Sequence, residues 1–400
     1  MPTCTGCSCL CPDIVIKDSK VFNACRKGSA IFKHCKENRA EPTISGEKVD
    51  FGKALEKAVE IISSSEKLAV YGLDTIPLEA QEIAIKLAEK KKAYIDDSSA
   101  FCLGDFVEMV LKGILPTTTL DEVKSNAYVI FYWGTDPYNS LSRHLSLYTY
   151  YPRAGKRQRG YEEDRYLVVV DVRKSHTAKL VKKNAKFIKV DSDEALIEGF
   201  LSTMDGKAGK YYEETGRILK EMQRGGFNAI FGGLGLKYGL NGNYEKFVEM
   251  VKRMNELTQV YFIPAGFHAN MRGFNELMFE KTGFVNRYSF ESKKSSPEYE
   301  FSELVRNDSV DTVLVIGSDP ANSLPFDVLQ KLREKRLVLV DPKKSLTSKI
   351  AEVVVPSAIT GIDQGGTMVR SDGVRIEIEP LWEAEWTDEA ILKELLGEVK

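Results

Sequence analysis

The chain lacks any apolar run close to the roughly 18 residues a membrane span requires, and it lacks an excess of either charge. Its 58 acidic residues nearly balance 56 basic ones, leaving a formal net charge of −2 over 400 residues. Such a balance makes no field that would gather nucleic acid or an anionic membrane, so neither is expected as a partner. The first residues also lack the basic start and apolar stretch of a secretory signal, which predicts a cytoplasmic protein. Cysteine is almost missing beyond residue 35, where Cys102 stands alone. What remains is an ordinary globular balance, 43% hydrophobic and 28% charged. At this length more than one domain is expected.

Six of the seven cysteines lie in "MPTCTGCSCLCPDIVIKDSKVFNACRKGSAIFKHC". In a reducing cytoplasm disulfides are usually transient, and an odd total cannot pair completely. Metal ligation is the better reading. The spacing Cys4-x2-Cys7-x3-Cys11 lets one short loop aim three thiolates at a single centre, with Gly6 and Pro12 helping it turn. Cys25 in "NACRKG" offers a fourth, and iron–sulfur clusters take four. A zinc ribbon needs two C-x-x-C knuckles, and the second is missing here. Structural zinc stays open as an alternative. Cys9 and Cys35 are surplus and read as buried or free thiols.

Beyond residue 50 short Val- and Ile-rich runs alternate with amphipathic helical stretches, which predicts an α/β fold with parallel sheets covered on both faces. Two stretches repeat. "YVIFYWGTDPYNS" matches "TVLVIGSDPANS", aligning Gly134, Asp136 and Asn139 with Gly317, Asp319 and Asn322. "RYLVVVDVRKSHTAKL" then matches "RLVLVDPKKSLTSKI", aligning Asp171 with Asp341. The chain therefore contains an internal duplication. Each copy has the form of half a dinucleotide-binding sheet: strand, small-residue turn, helix, strand, acidic end. The turn lets phosphate approach backbone N–H groups, and the acid is placed for a ribose or a guanine edge.

The cysteine spacing, "CRKG", the paired G-[TS]-D-P turns and "AEVVVPSAITGIDQGGTMVRSDGV" together resemble the molybdopterin oxidoreductases of the dimethyl-sulfoxide-reductase and formate-dehydrogenase type. Within that group, "RHLSLYTYYPRAGKRQRGYEEDRYLVVVDVRKSHTAKL" and "IPAGFHANMRGFNELMFEKTGF" are similar to the B subunits of formylmethanofuran dehydrogenases. The resemblance implies a multi-domain molybdopterin-oxidoreductase fold: a small iron–sulfur segment and two Rossmann-like halves, without the C-terminal barrel domain. The expected parts are residues 1–50 for the [4Fe–4S] cluster, 51–125 for a first α/β part, 126–300 for the first dinucleotide domain, and 301–400 for the second, packing with 51–125.

The implied cofactors are a [4Fe–4S] cluster and two molybdopterin guanine dinucleotides holding tungsten or molybdenum. Metal ligands would be Cys4, Cys7, Cys11 and Cys25 for the cluster and Cys102 for the tungsten or molybdenum. Cofactor contacts would come from Lys27, between cluster and pterin, and from Gly134, Asp136, Asn139, His144, Asp171 and Arg173 in the first half. In the second half they would come from Gly317, Asp319, Asn322, Asp341 and Gly365. Reversible reduction of CO2 to formate would use Cys102, His268 and Arg272, in a complex with A, C and D subunits and ferredoxin-like F and G subunits.

Two positions depart from the pattern. Formate-handling members follow the ligand cysteine with histidine, where this chain has Leu103, and the arginine expected before the histidine of "AGFHAN" is missing. A divergent, non-catalytic or altered-substrate subunit for electron transfer or scaffolding is therefore the alternative. For Cys102 alone, a core thiol is the alternative to a ligand. His268 has the alternative of a core hydrogen bond, and Lys27 that of an exposed surface lysine.

Overall fold

The computed structural model describes residues 1–18 and 20–399. The chain forms two compact units: Met1–Gly104 with His268–Arg370 and Arg375–Lys400, and Asp105–Phe267 with Ser371–Val374. Among the described residues, no helix is long and apolar enough to cross a membrane.

The first unit is built on a nine-stranded sheet. Five of its strands run parallel, in the order Tyr94–Asp96, Leu68–Gly72, Thr312–Ile316, Arg336–Val340, Val353–Val355. Short antiparallel strands finish both edges. The central strands read as continuous apolar runs because both faces are covered. Leu68, Val70, Leu314 and Ile316 enter one core with the helices Phe51–Ser63, Leu78–Lys90 and Asp388–Glu398. Ala69, Tyr71, Val313 and Val315 enter the other, against Phe301–Arg306 and Phe326–Leu332. The period-two alternation of a strand divides each run between the layers. Burying each large side chain contributes about 1.5–3 kcal/mol.

The second unit carries five parallel strands, ordered Gln259–Pro264, Phe227–Gly232, Val129–Trp133, Tyr166–Asp171, Ala185–Lys189. In both sheets the strand order reverses beside a G-[TS]-D-P turn. Gly134 follows Val129–Trp133, and Gly317 follows Thr312–Ile316. Such reversal points open a crevice at the carboxyl ends of the strands, where ligands of open α/β sheets bind.

The duplication is structural as well as sequential. Gly134 N donates to Val170 O and Gly317 N to Val340 O, both at 2.9 Å. The two glycines have φ of +61° and +57°, a backbone shape that glycine adopts without steric cost.

Candidate functional site

The N-terminal loop is closed on itself. Cys4 N donates to Cys11 O at 2.9 Å and Leu10 N to Cys7 O at 3.2 Å. Cys25 caps the helix Arg26–Lys33, its Sγ accepting from Gly28 N at 3.4 Å. Gly28 is the point where loop and helix meet. A Cβ there would lie 3.0 Å from Cys4 Sγ and 3.8 Å from Cys25 Sγ, so a side chain would press on both thiols. Burial pushes the Cys4 thiol up to about 11, while hydrogen bonding from the Cys9 thiol brings Cys7 down to about 7. Cys9, read from sequence as a bystander, is thus buried among the proposed ligands. Cys35 is also buried, at the end of the helix. Among the described residues, no three His, Cys, Asp or Glu side chains are grouped so as to hold a metal ion. The thiols share one neighbourhood without that grouping.

A second cluster forms at the sheet edge of the same unit. The strand Leu68–Gly72 ends on Gly72, whose Cβ would lie 2.4 Å from Ile316 O. The chain then turns through Leu73 at φ +74° and delivers Asp74, 1% exposed, to the carboxyl edge. Asp74 Oδ2 accepts from Ser98 Oγ at 2.5 Å and lies 2.6 Å from His268 Nδ1. Cys102 follows one turn later, its N–H donating to Ser98 O at 3.0 Å, with the residue half-buried. Burial opposes protonation of His268, but the bond to Asp74 and its charge outweigh this and raise the imidazole above its usual value; Lys27 acts against them. Lys27 also acts on Cys4 and Cys7, so one lysine lies within electrostatic reach of both clusters.

The structure thus brings together Cys4, Cys7, Cys25 and Lys27, and separately Cys102 and His268. Leu103 is a core residue, 1% exposed. Arg272 is buried, with Nε donating to Glu276 Oε1 at 2.7 Å. Sequence reasoning missed Asp74, Asp97 and Ser98. The signal was an acid directly after an apolar strand, in "YGLDT" and "YIDDSS".

A cavity of about 490 Å³ opens at the reversal point of the nine-stranded sheet. Its lining includes Lys27, Thr75, Gly317, Lys343, Lys344 and Asp388. Lys343 Nζ donates to His34 O and Glu37 O at 2.9 and 2.6 Å, capping the end of the cysteine-bearing helix. Asp341 accepts from Lys343 N at 2.8 Å, and burial pushes its carboxyl up to about 7. Asn322 is exposed just beyond the turn. Gly365 packs closely elsewhere, since a Cβ there would meet Ile378 O at 2.6 Å.

The other copy is filled differently. Gly134 O accepts from Gly235 N at 2.8 Å, and a Cβ on Gly134 would lie 2.1 Å from Leu236 N. The glycine-rich "FGGLGL" segment therefore serves close backbone packing. Asp136 accepts from Thr177 N at 2.9 Å and Oγ1 at 2.5 Å, and from Asn139 Nδ2 at 2.7 Å, so its carboxylate is engaged within the protein. Asp171 accepts from the N–H of Arg173 at 3.3 Å, and the Arg173 side chain is exposed. His144 is buried in the core, 3.0 Å from the Tyr132 hydroxyl and edge-on to Phe231.

The thiols, Lys27 and the Asp74–His268 pair all lie in the first α/β unit, as does the crevice at its sheet reversal point. No family model matches the chain. A curated relative, the B subunit of tungsten-containing formylmethanofuran dehydrogenase 2 from Methanococcus maripaludis, is 30% identical across 99% of this chain and 97% of its own length. The protein of the same name from Methanocaldococcus jannaschii is 29% identical over the same shares. The chain belongs to the family of formylmethanofuran dehydrogenase B subunits.

Among solved structures, a chain of the formyltransferase/hydrolase complex (FhcABCD) from Methylorubrum extorquens, in complex with methylofuran, shares the fold. Its TM-score is 0.69 at 18% identity, covering 90% of this chain and 98% of that one. The α/β class stands, but the expected molybdopterin-oxidoreductase fold is corrected by this likeness to a formyltransferase/hydrolase chain. The physical reason lies in what carried the expectation. Short cysteine spacings and G-[TS]-D-P turns are local features, and parallel sheets of this kind host many chemistries.

Proposed function

We propose that the chain is the electron-carrying subunit of a formylmethanofuran-dehydrogenase-type complex, divergent at the position of Leu103. One observation supports this above the others: thiols from the loop and from the helix cap meet at Gly28, beside a lysine that also acts on His268. Cys4, Cys7, Cys11 and Cys25 would hold a [4Fe–4S] cluster, which supplies one-electron transfer. What supports the reading is the largely buried neighbourhood that these thiols share. Lys27 would balance the negative charge of the thiolates and favour electron passage toward the sheet edge. The cavity with Gly317, Lys343 and Lys344 fits an anionic nucleotide group such as a pterin guanine dinucleotide. Partners would be the A, C and D subunits and ferredoxin-like subunits, with CO2 and formate as the small molecules of the complex. Anaerobic purification and metal analysis test the reading. About four iron atoms per chain are expected, and a colourless protein holding zinc instead would overturn it.

A second reading places CO2 reduction on this chain, and the grouping of Cys102 with Ser98, Asp74 and His268 favours it. Cys102 would then ligate tungsten or molybdenum, a metal that supplies two-electron chemistry, and His268 would hold and move a proton at Nε2. Leu103 in the core and Arg272 paired with Glu276 count against it, since neither adds a polar group for an anionic substrate. Cys102→Ser separates the readings. In a CO2/formate viologen assay of the complex, unchanged turnover supports the electron-carrying role, and lost turnover with iron retained supports the second.

A further inference from the structure

The hairpin between Cys11 and Cys25 carries apolar side chains that the chain leaves uncovered. Its strands, Val15–Lys17 and Lys20–Phe22, pair antiparallel, with Val15 opposite Phe22, Ile16 opposite Val21 and Lys17 opposite Lys20. Asn23 Nδ2 donates to Asp13 O at 2.9 Å and closes the base of the hairpin, which therefore rises directly from the thiol loop. Val15, Ile16 and Phe22 are 36, 40 and 49% exposed. By the pleat, Val15 and Phe22 share a face with Lys17 and Lys20. Two cations directly opposite each other weaken a strand pair, and a lone two-stranded hairpin is marginally stable to begin with. The basic character continues onto the helix Arg26–Lys33, where Arg26, Lys27 and Lys33 are exposed. Pro12–Lys36 holds six basic residues and two acids, in a chain whose acids outnumber its bases by 58 to 56. Lys17, Lys20, Arg26 and Lys33 make no ion pair among the described residues, whereas Lys48 and Lys335 of the same unit hold Glu41 and Asp308 at 2.6 and 2.7 Å. An exposed apolar patch rimmed by charges of one sign marks a contact surface for a partner of the other sign.

We propose that this hairpin and the exposed side of the helix form the docking surface for a small acidic electron-transfer protein. Val15, Ile16 and Phe22 enter the apolar centre of the contact, and Lys17, Lys20, Arg26 and Lys33 its charged rim. Three apolar side chains ringed by cations make a small contact, of the size class of transient electron-carrier encounters rather than of a permanent subunit interface. The rim cations steer an acidic partner to the hairpin and set its orientation there. The acid excess of the remaining chain disfavours an anionic membrane, which would meet far more than one hairpin. That the partner carries electrons rests on the proposed reading of the thiols; the position and sign of the surface do not.

The test uses the full chain, with a small acidic ferredoxin as the probe and calorimetry at low salt as the readout. Lys17→Glu combined with Lys20→Glu should weaken binding about tenfold or more, and Phe22→Ser about fivefold. Lys252→Glu, the same reversal at an exposed position of the second unit, should change it by less than about twofold. Added salt should weaken wild-type binding and shrink the gap between wild type and the lysine variant. Wild type that does not bind, or hairpin variants that bind within about twofold of it, would overturn the proposal. Should the hairpin variants misfold, hydrogen exchange on wild type decides. Ferredoxin should slow the exchange of amides within residues 13–36, and protection confined to other segments would overturn the proposal. Capture of the chain by phosphatidylglycerol vesicles, without binding of ferredoxin, would overturn it in favour of a membrane. Iron analysis of the same sample keeps the two ideas apart: a chain that lacks iron yet binds ferredoxin through the hairpin refutes the cluster reading and leaves the docking surface standing.

Discussion

Asp319 accepts hydrogen bonds from both the N–H and the hydroxyl of Thr347, at 2.8 and 2.7 Å. Asp136 holds Thr177 in the same way in the other copy. The acid of each G-[TS]-D-P turn thus ties the loop after one strand to the loop after the next. Ala321 N and Tyr138 N complete the tie by donating to the two threonine hydroxyls at 3.1 Å.

Removing either partner should therefore destabilise the fold. Asp319→Ala and Thr347→Val are each expected to cost about 1–3 kcal/mol, because buried backbone donors lose their acceptor. The two losses should fail to add, with a coupling of about 1 kcal/mol in a urea-denaturation cycle. Strict additivity would show that the pair does not act as a unit.

The thiols should divide by role. Replacing Cys4, Cys7, Cys11 or Cys25 with Ala is expected to remove most of the iron and the brown absorption, since a cluster needs all four ligands. Cys35→Ala should leave iron content unchanged. Cys9→Ala should also retain iron, while altering the ease of cluster reduction through the lost contact with Cys7. Iron analysis and a redox titration check both statements.

Arg165 is fully buried, and its guanidinium donates to carbonyl oxygens of Val123, Lys124, Ala127 and Pro152. It closes the end of the helix Leu120–Asn126. Arg165→Met leaves these acceptors stranded and should cost about 3–5 kcal/mol. Calorimetry should show Tm lowered by roughly 10 °C. Arg165→Lys should restore little, because an ammonium cannot span the same set of acceptors.

Stability should also fall as pH rises through the carboxyl group of Asp96. Burial pushes this acid up to about 7, against the bonds it accepts from Phe301 N and Arg287 N. Its folded value is raised, so its contribution is full below the unfolded value near 3.8 and is lost as pH climbs toward about 7. The loss has an upper bound of about 4 kcal/mol. Asp96→Asn should flatten the curve between about pH 4 and 7 in urea titrations.

The sequence was most informative where the physics is local. Val- and Ile-rich runs such as "TVLVI" gave the parallel strands, and the repeat located both reversal points, because alternation and small-residue turns are written in consecutive residues. The spacing Cys4-x2-Cys7-x3-Cys11, with Cys25 as a fourth thiol, pointed to a shared neighbourhood but did not show that Cys9 lies within it. The acid–histidine pair was hidden. Asp74 and His268 are 194 positions apart and meet only once the sheet has formed. His144, assigned from resemblance to a cofactor, is buried against Tyr132, and a single chain carries no mark that separates a core histidine from a ligand-binding one. The wider fold assignment failed for a related reason: short motifs travel between chemistries more freely than whole architectures do.

Lys343 gives the crevice and the thiols a shared fate. It lines the cavity while its ammonium holds the end of the helix that Cys25 begins, and Lys344 N and Ala40 N tie the same loop to the N-terminal segment at 2.8 and 3.0 Å. On the proposed reading, a guest that drew Lys343 toward itself would release those carbonyls, and filling the crevice and loading the thiols would be linked equilibria. Whatever factor one occupant imposes on the other's affinity is returned in equal measure, and assembly order then becomes a property this single lysine can bias.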